Sequence, residues 1–370
     1  MSFPGIGTML NYSVDQLRKF NNCTTPSCIS VIKQLGLLRR PRYIHRGSRR
    51  KLVYLRNDGD SAENHDGFNL SDFWNLLTQA VTSTSQEATK ISLAFSKPPL
   101  PSEQDCVNLA ESVQKSALTL ATVYYRLPKS QGTTLRKLVR EATVEVLDGV
   151  VGLLDVIVSS PGPSLAQEQL TCTGGVWAAC DQFAKLARDN RAAVSYAVTA
   201  CIRLVKDALI ELQQALEEND DPFGDVLDDG DDPRGNRDSY WSQNDRRLVS
   251  KCLGLVKAAG ACLRKLAGAV NSNGNVDTPA NVAQLDDLAD VAKEISPSVD
   301  ELVMSLYPPV EASAVEINVS KLASILRKTL GMIRACHVCS EADVQWVEFL
   351  EGAVEHNVQE VKTLLSQDSS

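Results

Sequence analysis

Aromatic residues make up only 5% of this chain, although 43% of its 370 residues are hydrophobic. Its core must therefore consist mainly of Ala, Leu and Val, a composition typical of helical bundles. The sequence lacks any run of about 18 apolar residues that could span a bilayer. It also lacks the alternation of apolar and polar residues that predicts strands. These absences predict an all-α fold.

Basic residues are concentrated at one end of the sequence and scarce elsewhere. Residues 1–56 contain 11 of the 38 Lys/Arg and one of the 46 acids, Asp15, which leaves 27 basic and 45 acidic residues in the remainder. An acidic body repels nucleic acid and anionic membranes. We therefore expect neither direct nucleic-acid binding nor membrane association by the helical part.

The basic run at residues 37–56, with Tyr43 and Tyr54 interleaved, allows three interpretations. It could be a solvated tail, a nuclear-localisation or nucleic-acid patch, or a segment encoded by an unusual first exon. Charge runs are most often solvated. We therefore interpret residues 1–66 as a disordered basic N-terminal segment.

The stretch at residues 217–238 contains ten acids and only two bases, Arg234 and Arg237. Pro222, Pro233 and three glycines disfavour a helix, and there is almost nothing apolar to bury. We predict a flexible acidic linker at 219–241, acting as a spacer or as a lure for a basic partner. A calcium loop is not indicated, because the required ligand spacing is missing.

Apolar residues recur at helical spacing on both sides of this linker. Before it, five antiparallel helices are predicted within residues 67–218, the fifth from about Asn190 to Leu216. After it, residues 242–370 are predicted to hold a second bundle, with Ser296-Pro297 starting a new helix. The sequence thus predicts two antiparallel helical bundles joined by an acidic flexible linker.

Reactive chemistry is poorly supported by the remaining motifs. The ten cysteines are scattered and are expected to be free thiols in a reducing compartment, most of them packed as small hydrophobic residues. The Cys336-His337-Val338-Cys339 motif has no second ligand pair outside the N-terminal segment, so we predict two thiols at a helix end beside a solvent-facing histidine. No catalytic, cofactor-binding or metal-binding residue is assigned, and no enzyme is expected.

Several strings resemble the cyclin-D-binding protein family, also called Maid-like proteins. They are DFWNLLTQAVTSTSQEATKISLAFS at 72–96, YYRLPKSQGTTLRKLVREAT at 124–143, DSYWSQNDRRLV at 238–249 and QLDDLADVAKEISPSVDELVMSLYPP at 284–309. The resemblance extends over residues 70–365 but excludes 1–66.

This resemblance implies a non-enzymatic protein, without cofactors, that binds D-type cyclins and helix-loop-helix transcription factors. It further implies negative regulation of the cell cycle and of transcription, residence in cytoplasm and nucleus, and a signalling adaptor as a further partner. The family lacks the basic region that reads DNA. The alternative function is a helical-bundle scaffold in cytoskeletal or adhesion signalling. We expect the partners implied by the resemblance to bind an outer groove rather than to displace the helix at 190–216.

Overall fold

The computed structural model describes residues 67–159, 167–218 and 240–368. These residues form nine α-helices and no strand, so the predicted all-α class is confirmed. The predicted disordered segment at 1–66 and nearly all of the predicted linker at 219–241 lie outside the described residues. The helices are α1 Leu70–Ala94, α2 Glu103–Tyr125, α3 Thr133–Ser159, α4 Gln167–Gln182, α5 Asn190–Glu218, α6 Gln243–Asn273, α7 Pro279–Ser305, α8 Ala312–Ala335 and α9 Glu341–Asp368.

Short polar side chains begin several of these helices. Ser102 accepts the backbone N–H of Asp105 at the start of α2. Ser242 and Asp245 form a reciprocal capping box at the start of α6. Each satisfies backbone donors that have no partner within the first turn of a helix. Both starts have the local Ser-x-x-Asp spacing that is typical of a helix N-terminus.

The helices divide into two compact units. The first unit contains the described residues up to Leu127 and those from Val139 to Lys185, and the second contains Pro128–Leu138 and everything from Leu186 onward. In the first unit α1 packs against α2 and α4. Its largest fully buried side chains include Leu77, Ile91, Leu120, Tyr124, Leu153 and Leu154.

In the second unit α6 is the central helix. It contacts α5, α7, α8 and α9, whereas α5 packs on α6 and α7, and α8 lies between α7 and α9. The buried residues of α6 are mainly Leu, Val, Ala and Cys and point in several directions around the helix. A helix that is apolar on most sides must lie inside a bundle.

The position of α5 differs from the predicted domain division, which placed it in a bundle at 67–218. Its buried residues Val194, Val198, Val205 and Leu212 belong to the same core as those of α6 and α7. The helices on either side of residues 219–239 therefore pack directly against each other. Helical periodicity shows that a face of α5 is buried, but it carries no information about which helices bury it.

The predicted helix start at Ser296-Pro297 is wrong, because α7 continues without interruption from Pro279 to Ser305. The φ angle of proline is compatible with a helix. Its cost inside a helix is one missing backbone donor and a steric clash with the preceding turn. Ile295 and Val299, on either side of Pro297, are completely buried. Their burial, at about 1.5–3 kcal/mol each, is enough to offset a proline cost of about 3 kcal/mol.

Candidate interaction surfaces

The histidine of the Cys336–Cys339 motif is half-buried and not solvent-facing as predicted. Its Nδ1 lies 2.7 Å from Oε1 of Gln284, and its Nε2 accepts the backbone N–H of Asn275 at 3.3 Å. Because the glutamine oxygen can only accept, Nδ1 carries the proton and the ring is neutral. Burial lowers the pKa of His337. This side chain therefore joins α7 to the loop that follows α6.

The described cysteines are all free, and most of them are buried. Burial raises the pKa of Cys252 and of Cys262 to about 12. It also raises the pKa of Cys336 and of Cys339, so both thiols of the motif stay protonated. A protonated thiol is a poor nucleophile and a poor metal ligand. Within the described residues, no group of three or more His, Cys, Asp or Glu could hold a metal ion.

A buried carboxylate, missed by the sequence analysis, caps α3 from another helix. The Asp286 side chain on α7 accepts the backbone N–H groups of Thr133 at 2.7 Å and of Thr134 at 2.9 Å. Asn190, at the start of α5, accepts the N–H of Leu135 at 3.0 Å and donates to Asp286 at 3.0 Å. The two side chains satisfy the first three backbone donors of α3. A negative charge is also favourable at this end of a helix dipole.

The ionisation of Asp286 reflects two opposing effects. Burial by itself raises the pKa of this carboxyl, but the hydrogen bonds from Thr133, Thr134 and Asn190 outweigh burial and lower the pKa below its ordinary value. The carboxylate is therefore charged and fully occupied by its own chain. The sequence did indicate that α3 needs a cap from elsewhere, because Gly132 precedes the helix and its first turn contains no acidic residue. Nothing in the sequence, however, identified the residue that supplies the cap.

A buried polar contact aligns α1 with α4 in the first unit. Ser92 and Thr173 share a hydrogen bond of 2.8 Å, and the Gln169 side chain donates to the backbone oxygen of Ser92 at 2.7 Å. Farther along the same seam, Trp177 Nε1 donates to Thr89 Oγ1 at 2.9 Å. These pairs run in opposite directions along the two helices, so α1 and α4 are antiparallel.

Large apolar side chains line the solvent side of this seam. Leu93, Leu170 and Trp177 are exposed by 66%, 49% and 46%. Leu93 follows Thr89 by one helical turn, and Leu170 precedes Trp177 by two turns on the same side of α4. Gly174 lies between the last two and has open space where a side chain would stand. We call Leu93, Leu170 and Trp177 the α1–α4 patch.

In the second unit another exposed apolar pair lies on the seam between α7 and α8. Lys321 pairs with Glu301, and Lys328 pairs with Glu294 at 3.0 Å, which fixes the antiparallel register of these helices. In that register the exposed Met304 and Ile317 lie at the same level. This pair is smaller than the α1–α4 patch and lies beside exposed charged pairs.

The fold and these surfaces define an all-α protein in which the features open to solvent are helix faces. None of the described helices is long and apolar enough to cross a membrane.

Comparison with models of protein families identifies a more specific class for the chain. Residues 76–218 match the N-terminal model of the Grap2 and cyclin-D-interacting family, and residues 227–331 match its C-terminal model. The chain belongs to this family.

Relatives from several vertebrates support the same placement. The chain is 60% identical to the cyclin-D1-binding protein 1 homolog of Danio rerio, over 84% of this chain and 92% of the relative. It is 52% identical to the Xenopus laevis homolog, over 81% of this chain and 91% of the relative. Identity to the human cyclin-D1-binding protein 1 is 40%, over 84% of this chain and 89% of the relative. The resemblance found in the sequence strings is thus confirmed.

Proposed function

We propose that this protein is a non-enzymatic regulator that binds a D-type cyclin through its outer helix faces. The observation that carries the proposal is the α1–α4 patch on a chain whose relatives are named for cyclin D1 binding. Exposed apolar clusters of this kind mark interaction sites more often than isolated exposed residues do. We assign the cyclin contact to this patch.

The chemistry of the patch suits a protein partner. Tryptophan is enriched among residues that dominate binding energy, and the indole N–H of Trp177 is already satisfied by Thr89. Its exposed ring can therefore be covered without leaving a buried donor unpaired. Gly174 leaves a notch between Leu170 and Trp177 that can accept an apolar side chain of the partner.

We further propose helix-loop-helix transcription factors as partners, with a signalling adaptor as an additional one. A factor held by a protein without a DNA-reading basic region is sequestered, which gives negative regulation of transcription and of the cell cycle. For this activity we propose residence in both cytoplasm and nucleus. These assignments derive from the family resemblance and extend beyond cyclin binding.

The burial of α5 supports binding to an outer surface over exchange of a helix. Eight residues of α5 are buried, among them Val198, Val205 and Leu212. Exposing them would cost about 1.5–3 kcal/mol for each large side chain. Hydrogen exchange tests this point. Binding to an outer surface leaves the protection of residues 190–216 intact, and loss of that protection on partner binding would exclude the model.

Cyclin binding itself is tested by a pull-down of purified D-type cyclin with Trp177→Ser and Leu170→Ser. We expect each change to weaken binding by about tenfold or more, because each removes a central apolar contact. The matched control is Leu118→Ser, an exposed leucine on α2 of the same unit. Retained cyclin binding by both patch variants would place the contact elsewhere. Co-sedimentation with filaments, in the absence of cyclin capture, would favour the scaffold function.

A further inference from the structure

The central helix of the second unit is basic, whereas two of its neighbours, α7 and α9, are acidic. α6 carries one acid, Asp245, whereas α7 and α9 each carry at least six acids and a single lysine. The bases of α6 are Arg246, Arg247, Lys251, Lys257, Arg264 and Lys265. They are dispersed in the sequence, so they do not appear as a basic block. Lys257 and Arg264 are seven residues apart and project from the same side of the helix.

Only a narrow strip of α6 reaches solvent, between α5 and α9. On one side, Lys251 pairs with Glu360 at 2.7 Å, and the Lys265 ammonium lies 6.0 Å from the Trp346 ring. On the same side Gly254 faces Asn357 so closely that no side chain would fit. These contacts with α9 fix an antiparallel register.

That register places a prominent aromatic residue beside the strip. Phe349, on the outer face of α9, is exposed by 74% and lies at the level of Ala261. On the other side, α5 approaches α6 where Val205 faces Gly260, which brings Lys206 and the exposed Ile210 alongside. We call Lys206, Ile210, Lys257, Ala261, Arg264 and Phe349 the α6 strip.

The strip carries three basic side chains. Lys206, Lys257 and Arg264 are exposed, and none of them has an ion-pair partner within the described residues. The half-buried Ala261 provides a shallow apolar centre between them. An apolar centre with basic residues on both sides is complementary in charge and shape to one face of an acidic helix.

We propose that the α6 strip binds an acidic amphipathic helix of another protein. Two acids seven residues apart on that helix would match the spacing of Lys257 and Arg264, about 10 Å along the axis. An aliphatic residue between them would cover Ala261 and contact Phe349. A phosphate backbone fits less well, because Phe349 and Ile210 offer it no partner and the flanking helix α9 is acidic. This surface is separate in residues from the α1–α4 patch.

The test uses the full chain and a fluorescein-labelled helical peptide of about 20 residues, with Leu on one face and Glu at heptad spacing beside it. Binding is measured by fluorescence anisotropy as a function of salt. We expect the double variant Lys257→Glu/Arg264→Glu to weaken binding by about tenfold or more, and Phe349→Ser to weaken it by several-fold. The double variant Lys115→Glu/Lys185→Glu changes the charge equally at exposed sites outside the strip and should bind as the wild type does.

Several results would overturn the proposal. One is equal peptide affinity for the wild type and for both strip variants, with thermal melting curves showing that all are folded. A second is loss of binding to a duplex DNA oligonucleotide in the strip variants while peptide affinity is unchanged. A third is conversion of a dimer to a monomer by the strip variants in sedimentation, which would assign the strip to a second copy. None of these results depends on cyclin binding, so the two proposals fail separately.

Discussion

Gly132 stands directly against the side chain of Asn190, at a distance that leaves no space for a Cβ atom. Its backbone φ angle is 108°, in the region that only glycine adopts readily. Asn190 needs this close approach because its amide oxygen accepts the N–H of Leu135 and its nitrogen donates to Asp286. The glycine thus allows two other helices to cap α3.

Replacing this glycine should therefore be costly. Gly132→Ala combines an unfavourable φ with a clash against Asn190, and we expect a loss of about 2–4 kcal/mol in the free energy of unfolding. Urea denaturation measures it. The matched control is Gly331→Ala on α8, where nothing lies within 4 Å of the added carbon. That control should gain about 0.5–1 kcal/mol, because alanine suits a helix interior better. A neutral effect of Gly132→Ala would contradict the capping arrangement.

The carboxylate of Asp286 should make stability depend on acid pH. Its folded pKa is lowered, so its contribution is complete above the unfolded value of about 3.9 and is lost as pH falls through the folded value. In Asp286→Asn the side chain keeps its shape, but its NH2 group faces a backbone N–H, and two donors cannot hydrogen-bond to each other. We expect it to cost about 2–3 kcal/mol at pH 7, with the difference from wild type shrinking below pH 4.

Unfolding experiments at pH 7 and pH 3 measure this difference. The matched control is Asp290→Asn on the same helix, an exposed residue that pairs with Lys293 at 2.9 Å. An exposed pair of this kind contributes about 0–1 kcal/mol, so the control should change little. An Asp286→Asn deficit that is as large at pH 3 as at pH 7 would show that the charge of Asp286 is not involved.

The helices could be predicted from sequence because their signals are local. Ser102 and Ser242 lie beside the backbone donors that they cap, and the apolar period of each helix is contained within the helix. Asp286 could not be predicted, because it is separated from Thr133 by 153 positions and its role exists only after folding. The placement of α5 was missed for the same reason. The α6 strip was not predicted from sequence, because its bases are separated by whole helical turns and form no continuous basic run.

The neutral state of His337 predicts a second pH effect. Burial lowers the pKa of this histidine, and a proton on Nε2 would face the N–H of Asn275. Its contribution to stability is therefore complete above the unfolded pKa of about 6.5 and decreases as pH falls below that value. His337→Asn should be less stable than wild type at pH 7.5, and the gap should narrow by pH 5. Denaturation at both pH values measures the gap, and a gap that widens toward pH 5 would reverse the assigned protonation state.

Pro297 lies in the interior of α7, where it denies the carbonyl of Lys293 a hydrogen-bond donor. Its side chain is exposed, so little packing is lost when it is removed. Pro297→Ala restores the donor, and we expect a gain of about 1–3 kcal/mol in the free energy of unfolding, measured by urea denaturation. The matched control is Pro279→Ala at the first position of the same helix, where the restored N–H has no carbonyl within the helix to bond. That control should show no gain, since proline there only restricts the unfolded chain. If Pro297→Ala instead lowers stability, the proline must shape α7 in a way that its neighbours require, and the continuity of this helix would depend on it.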